Sequence, residues 1–173
     1  MKIVNIVATV ILDECLNLDR VHKNLPGSKF PRAGSPWLQY RLKPENYYTT
    51  FYKSGKFLIT GVTSVEAIRP IADRIVSILK KNSIPVKISD IRIHNFVAVD
   101  SLNREIHFEK IMASLQNMNV EYEPEQFHGM IIRDNGHSFL LFNSGKIILT
   151  GVKEIESILP ALDSLKSKIY RVI

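Results

Sequence analysis

The stretch SGKFLITGV at residues 54–62 returns as SGKIILTGV at residues 144–152. Six of the nine positions are identical, and the other three exchange one apolar residue for another. Residues outside these stretches recur at the same offset of 90 positions: Asn5 as Asn95, and Pro70 as Pro160. A fixed offset over this much chain indicates an internal duplication. We therefore predict two imperfect repeats, 1–90 and 91–173, that together form one pseudo-twofold domain.

Each repeat is predicted to contain a strand, a short helix, three strands and a long helix. In the first repeat, a β-branched run at residues 3–12 indicates the first strand. Apolar spacing over residues 16–26 indicates a short helix. Three strand-like stretches follow, separated by the turn sequences KPEN and KSG. The long helix is expected over residues 64–82, with a short first turn and a restart or kink at Pro70, because a proline deep in a helix costs about 3 kcal/mol.

These elements predict an α+β protein with an antiparallel sheet that its own helices cannot fully cover. About eight strands are expected, but only two long and two short helices. The second face of the strands is apolar or small and uncharged, and it includes Asn5, Val7, Thr9, Ile11, Leu58 and Thr60. A bare face of this kind indicates a binding surface. The open alternative is a dimer or sandwich partner that covers the same face.

The composition indicates a folded globular protein and argues against a membrane-spanning or secreted one. Apolar residues make up 45% and charged residues 23% of the 173 residues, as in folded globular proteins. No apolar run reaches the roughly 20 residues that span a bilayer. The apolar start MKIVNIVATVIL lacks a small-residue cleavage site, so we do not expect a signal peptide. Cys15 is the only cysteine, which excludes a disulfide framework and fits a reducing compartment.

The charge is unevenly distributed between the repeats. The formal net charge is +6. Residues 1–90 hold 14 Lys and Arg against 7 Asp and Glu, a net of +7, and residues 91–173 hold 9 against 10, a net of −1. A basic balance is typical of proteins that meet nucleic acid or anionic membranes.

The sequence carries no catalytic constellation. The five histidines are scattered without metal-ligand spacing, and no paired carboxylates suggest acid–base chemistry. The SGK tripeptide lies in a predicted hairpin, whereas a phosphate loop would open a helix. We expect neither an enzyme nor a bound cofactor or metal, so a nuclease or glycosylase subunit is disfavoured.

Several stretches together resemble the two imperfect repeats of the TATA-box-binding protein family: VNIVATV at 4–10, HNFVAV at 94–99, VEYEPEQFHGMIIR at 120–133, and the two SGK…TG stretches. The likeness covers nearly the whole chain in order. It implies a saddle-shaped curved antiparallel sheet with helices on its convex face, whose concave face binds the minor groove of A·T-rich promoter DNA. The eukaryotic N-terminal extension is missing, so we expect an archaeal-type member with a diverged first repeat. Its expected location is the cytoplasm, on the nucleoid, or the nucleus in a eukaryote.

The resemblance also implies roles for individual residues. The central amides are Asn5 and Asn95, which can donate to the minor-groove acceptors of A·T pairs. The apolar and hydroxyl floor, which excludes the exocyclic amino group of G·C pairs, comprises Val7, Thr9, Leu58, Thr60, Val97, Ile148 and Thr150. The phosphate contacts, which position the protein, are Arg41, Ser54, Lys56, Arg133, Ser144 and Lys146.

The resemblance places two aromatic wedges in each repeat. Phe127 and Phe142 hold both positions in the second repeat. In the first repeat Tyr52 holds one position, but Ser35 stands at the other. We expect Trp37 to be a core anchor; the alternatives are that Trp37 or Phe30 replaces the wedge through a rearranged loop, or that the first-half kink is weaker.

The implied function is a general transcription initiation factor that kinks promoter DNA and recruits transcription factor B, and RNA polymerase indirectly. The implied contacts for transcription factor B are Glu123, Glu125 and Gln126. The alternative is a diverged paralogue that serves as a protein-interaction or regulatory module with weak or altered DNA binding. A homodimer of the free protein is a further expectation.

Overall fold

The structure is a computed structural model that describes residues 1–172. The chain divides into two compact units. The N-terminal unit is Asn5–His94, and the C-terminal unit is Met1–Val4 together with the chain from Asn95 onward. The repeat boundaries of 1–90 and 91–173 stay a prediction. Within the described residues, none of the helices has the length and apolar character needed to cross a membrane.

The N-terminal unit contains the predicted strand, short helix, three strands and long helix. The elements are β1 (Lys2–Leu12), α1 (Leu18–Asn24), β2 (Trp37–Leu42), β3 (Tyr47–Tyr52), β4 (Lys56–Val62) and α2 (Ile68–Lys81). Its strands lie in the order β2-β3-β4-β1, and each pair of neighbours is antiparallel. The first four residues of the chain, which include the start of β1, belong to the C-terminal unit.

The C-terminal unit repeats this order with one more strand. The elements are β5 (Ile88–Ser101), α3 (Phe108–Ile111), β6 (Asn119–Glu121), β7 (Met130–Asp134), β8 (His137–Leu141), β9 (Lys146–Val152) and α4 (Ile158–Tyr170). The residues of β5 up to His94 belong to the N-terminal unit. Its strands lie in the antiparallel order β5-β9-β8-β7-β6. The additional strand β6 has a reduced counterpart in the N-terminal unit, where a single bridge joins Lys29 to Gln39.

Alternation along the strands separates a buried core from an outer face. In β4, Phe57 and Ile59 are fully buried, whereas Leu58 between them is half-exposed. The long helix α2 turns an apolar stripe toward this core, as the predicted spacing of three to four residues requires: Ile68, Ile71, Ala72, Ile75, Val76 and Leu79 are buried. We call the opposite side of the strands in each unit its outer face.

The two helix prolines lie where they do not break a helix. Helix α2 begins at Ile68 and α4 at Ile158, so Pro70 and Pro160 both fall in the first turn. The first backbone N–H groups of a helix have no partner within the helix, so the missing proline N–H costs no hydrogen bond there. The predicted short first turn is present, at residues 65–67 before α2 and as a 3-10 turn at Ile155–Ser157 before α4. The helix then begins at Ile68, two residues before Pro70, so the predicted restart at Pro70 itself is displaced.

The repeated SGK turn requires its glycine for two reasons. Gly55 and Gly145 have φ angles of +74° and +77°, in the left-handed region. A Cβ atom at Gly55 would lie 2.1 Å from the backbone oxygen of Glu14, and one at Gly145 would lie 2.2 Å from that of Arg104. In both units the turn therefore packs directly onto the backbone that follows the first strand, where only glycine fits.

An ion pair fixes the hairpin between β2 and β3 to helix α2. The guanidinium of Arg74 donates to Glu45 Oε1 at 3.0 Å and to Oε2 at 2.7 Å. These hydrogen bonds hold the pKa of Glu45 at about 2. Arg74 thus helps to hold the edge of the sheet.

Candidate nucleic-acid interface

The predicted floor residues lie on the outer faces of the two units. Lys56, Leu58 and Thr60 follow one another on the outer face of β4, and the pattern of burial repeats in β9 at Lys146, Ile148 and Thr150. Val7 and Val97 are half-exposed on the first strand of each unit. Thr9 lies opposite Leu58 but is only 7% exposed, so it contributes little surface.

Cross-strand register adds outer-face residues that reasoning from the sequence missed. Leu140 lies between Ile131 and Ile148 and is half-exposed. Thr50 lies between Gln39 and Leu58 but is only 8% exposed, so like Thr9 it contributes little surface. The signal was present in the alternation of the strands, but the register that joins neighbouring strands cannot be read from one strand alone. Each outer face is thus a continuous patch of apolar and uncharged polar side chains.

A hydrogen bond to a strand irregularity fixes each central asparagine. Asn5 Oδ1 accepts from the backbone N–H of Gly61 at 2.7 Å, and Asn95 Oδ1 accepts from that of Gly151 at 2.8 Å. The strand register shifts beside both pairs, and the two glycines have φ angles of +93° and +81°. Each carboxamide therefore uses its oxygen inside the protein, which leaves its NH₂ group as the donor.

The two asparagines differ in what their NH₂ groups meet. Asn95 Nδ2 donates to Thr150 Oγ1 at 3.1 Å, so this predicted amide and hydroxyl are joined. Both side chains are half-exposed. A hydroxyl that accepts from Asn95 can still donate its own proton outward, so the pair presents donors to a ligand that carries acceptors.

The structure brings the two predicted wedges of the C-terminal unit together. The rings of Phe127 and Phe142 pack edge to face, with centroids 5.8 Å apart and an interplanar angle of 70°. Phe127 is 37% exposed, which is high for a phenylalanine. A Cβ atom at Gly129 would lie 2.6 Å from the Phe127 ring and 3.1 Å from the Phe142 ring. Glycine at position 129 therefore makes room for the aromatic pair.

The N-terminal unit has a different arrangement at the same place. Ser35 is 5% exposed and cannot form a protruding wedge. Trp37 lies opposite Tyr52 in the β2–β3 ladder and is half-exposed, whereas its neighbour Leu38 is fully buried. The prediction that Trp37 is a core anchor is therefore wrong. Phe30 is engaged elsewhere, because its ring packs edge-on against His22 with centroids 5.2 Å apart.

The predicted phosphate contacts lie at the edges of the outer faces. Arg41 lies over the ring of Tyr48 at 5.1 Å and Lys56 over that of Tyr52 at 5.5 Å, as in cation–π pairs. Arg133 Nη1 donates to Glu121 Oε2 at 2.9 Å. Ser54, Ser144 and Lys146 are exposed in or beside the SGK turns.

The acidic contacts lie between β6 and β7 and share a turn with the first wedge. Glu123, Glu125 and Gln126 are all exposed. The backbone oxygen of Glu123 accepts from the N–H groups of Gln126 and Phe127, each at 2.9 Å. Among the described residues, no group of three or more His, Cys, Asp or Glu is placed to hold a metal ion.

Comparison with known proteins agrees with this geometry. The family model for Transcription factor TFIID (or TATA-binding protein, TBP) matches residues 1–82 and 90–172. The TATA-box-binding proteins of Thermoplasma volcanium and Picrophilus torridus are 38% and 37% identical to this chain, each over 99% of it and 95% of their own length. The solved structure of Methanococcus jannaschii TBP superposes with a TM-score of 0.85 at 30% identity, covering 99% of this chain and 98% of that one.

The chain therefore belongs to the TATA-box-binding protein family. The family consists of DNA-binding transcription factors that are not enzymes, and the predicted α+β fold of this family is confirmed. The relatives named above are archaeal, in agreement with the archaeal type inferred from the sequence.

Proposed function

We propose that this protein is a general transcription initiation factor that binds A·T-rich promoter DNA in the minor groove through the outer faces of both units. One observation carries the proposal, which is that each unit contains an equivalent asparagine held at an equivalent strand irregularity. Asn5 accepts from the Gly61 N–H in one unit, and Asn95 accepts from the Gly151 N–H in the other. Both amides then present NH₂ donors from a floor of apolar side chains. The minor groove of A·T pairs offers only acceptors, and it lacks the amino group that G·C pairs add.

The cations at the edges of the outer faces would add to DNA affinity by contacting phosphates. Arg41, Lys56 and Lys146 flank the floor, and cations in that position neutralise phosphates and release counterions. Binding should therefore weaken as the salt concentration rises. The wedges Phe127 and Phe142 would enter a base step, since apolar side chains inserted from the minor groove unstack the bases and kink the duplex.

Recruitment of transcription factor B is the next step of the proposal, and RNA polymerase would follow indirectly. Glu123, Glu125 and Gln126 project from an exposed loop of the near-neutral C-terminal half, where they would meet a basic partner surface. A variant with alanine at all three positions should bind and bend DNA as the wild type does but capture less transcription factor B on that DNA. Loss of DNA binding in this variant would place the loop in the DNA interface instead.

A location on the nucleoid in the cytoplasm remains a prediction.

The bending itself is tested by the end-to-end distance of a short duplex that carries a TATA-like site and a fluorophore at each end. The wild-type protein should shorten this distance, and Phe142→Ala should abolish most of the shortening. Leu159→Ala is the matched control, because Leu159 is 53% exposed on helix α4, away from the outer face. Equal shortening by the wild type and by Phe142→Ala would exclude Phe142 as a wedge.

A second candidate function is a protein-interaction or regulatory module that binds DNA weakly or not at all. The observation that favours it is the altered wedge pair of the N-terminal unit, where Ser35 is buried. In that case the duplex would not shorten at any salt concentration. A stable homodimer, seen by light scattering and lost on substitution of floor residues, would then be the expected state of the free protein.

A further inference from the structure

Trp37 lies two residues after the position in the N-terminal unit that corresponds to the wedge Phe127 of the C-terminal unit. Trp37 is the direct partner of Tyr52 in the β2–β3 ladder. In the C-terminal unit, the pairing of Met130 with Leu141 puts Gly129 next to Phe142. Tyr52 and Phe142 both stand two residues before the repeated SGK turn. Trp37 is therefore the counterpart of Gly129, and Ser35 is the counterpart of Phe127.

The residues at these two positions differ between the units as a pair. Phe127 occupies space that exists only because residue 129 is glycine, since a Cβ atom there would lie 2.6 Å from its ring. In the N-terminal unit the corresponding position carries the large side chain of Trp37 instead of glycine. The residue in the wedge position is then the small Ser35, which is buried at 5% exposure. The pair Phe127–Gly129 and the pair Ser35–Trp37 each carry one large ring next to the aromatic residue that stands two positions before the SGK turn, Phe142 or Tyr52.

The position of Trp37 makes it available to a ligand. The indole is half-exposed on the outer face, because Leu38 takes the buried side of the strand. Directly opposed residues in an antiparallel pair have Cβ atoms about 5 Å apart, so the side chains of Trp37 and Tyr52 rise from neighbouring points. The ammonium of Lys56 lies 5.5 Å from the centre of the Tyr52 ring, which puts a cation at the edge of the same patch.

We propose that Trp37 is the DNA wedge of the N-terminal unit, and that its indole enters a base step of the duplex beside Tyr52. This inference rests on the proposed function. The strand supplies the ring directly, so no rearranged loop is needed. Phe30 lies outside strand β2, and its ring packs edge-on against His22. The ligand is a base step of double-stranded DNA, and a flat apolar ring can part it from the minor-groove side.

The first test needs no variant, because Trp37 is the only tryptophan of the chain and its emission reports on that one side chain. On titration with a short TATA-like duplex, the emission should be quenched and protected from iodide, since a stacked base covers the ring. If the duplex binds and bends while the emission and the iodide quenching stay unchanged, this inference is overturned and the proposed function stands. If the wild type binds no such duplex, both are overturned.

The second test separates the wedge from a merely structural role. Trp37→Ala should weaken binding about 5- to 150-fold, the range expected for loss of one base–aromatic stack, and should reduce the duplex bending. Trp37→Phe should retain most of both. The double variant Ser35→Phe with Trp37→Gly restores the arrangement of the C-terminal unit, so it should bend DNA like the wild type with no tryptophan present. Circular dichroism checks that each variant is folded, and wild-type binding and bending by a folded Trp37→Ala would overturn the inference.

Discussion

The side-chain oxygen of Asn95 accepts a hydrogen bond from the backbone N–H of Gly151 at 2.8 Å. The same bond joins Asn5 to Gly61 in the other unit. It answers two questions about the sequence at once, because it explains why the repeated stretch ends in Thr-Gly and why an asparagine stands inside a strand. The oxygen stabilises the strand irregularity. The NH₂ group carries two N–H donors, of which Asn95 gives one to Thr150 and keeps the other for the proposed ligand.

Two substitutions at Asn95 separate these roles. Asn95→Asp keeps an oxygen for the Gly151 N–H, so the free energy of unfolding should change little. It removes the NH₂ donor and adds a negative charge, so affinity for a TATA-like duplex should fall about 10-fold or more. Asn95→Ala should lower the free energy of unfolding by about 1 kcal/mol as well as the affinity. Urea unfolding measures the free energy of unfolding, and fluorescence anisotropy with labelled DNA measures the affinity. Full affinity in Asn95→Asp would show that the Asn95 amide does not contact the DNA.

The SGK turn should tolerate no side chain at its glycine. Gly145→Ala combines a φ angle of +77° with an atom 2.2 Å from the Arg104 oxygen, so we expect a loss of about 3 kcal/mol or more in the free energy of unfolding. Gly136→Ala is the matched control in the same unit, because Gly136 has a similar φ of +80° but no atom within 4 Å of the added Cβ. That control should lose only about 1 kcal/mol. Equal losses in urea unfolding would show that backbone strain alone sets the requirement.

Arg133 forms an ion pair with Glu121, and we expect this pair to reduce the proposed contribution of Arg133 to phosphate binding. Glu121→Gln should free the guanidinium, raise DNA affinity a few-fold and steepen the dependence of log K on log salt by about one. Glu125→Gln makes the same change of charge in the neighbouring loop and serves as the control. A salt titration by anisotropy gives both slopes. If the two variants shift affinity equally, only the general charge matters and Arg133 makes no specific phosphate contact.

Asp100 should make the protein sensitive to acid. Burial raises the pKa of Asp100, but hydrogen bonds from Lys166, the Ser101 N–H and the terminal ammonium outweigh it and lower the pKa below its usual value. A depressed folded-state pKa stabilises the protein above the unfolded value near 3.9, and this contribution is lost as the pH falls through the lower folded value. Asp100→Asn should therefore lower the thermal midpoint at pH 7, and the gap to the wild type should close below about pH 4. A gap that is independent of pH would exclude this cause.

The repeat determined how much of the fold could be read from the sequence. The spacing of SGKFLITGV and SGKIILTGV located β4 and β9, and the apolar spacing located the long helices. The start of α2 at Ile68 was missed, because an apolar stripe continues through residues whose backbone is not helical. The strand β6 was missed because three residues are too short to show a period.

The candidate site was predictable where both repeats carried the same residue type. Asn5 and Asn95, like Thr60 and Thr150, were predicted in this way, and the structure shows all four to be half-exposed. Their role in binding stays a prediction. The burial of Trp37 was misjudged, because which strand pairs with β2 and in which register cannot be read from one strand alone.

A duplex with inosine·cytosine pairs in place of the A·T pairs of a TATA-like site tests the central claim most directly. Such pairs present the donors and acceptors of G·C in the major groove and those of A·T in the minor groove, because inosine lacks the amino group of guanine. We expect anisotropy to give nearly equal affinity for the A·T and inosine·cytosine duplexes, and much weaker binding of the G·C duplex. Loss of binding to the inosine·cytosine duplex, or equal binding of all three, would contradict recognition through the minor groove.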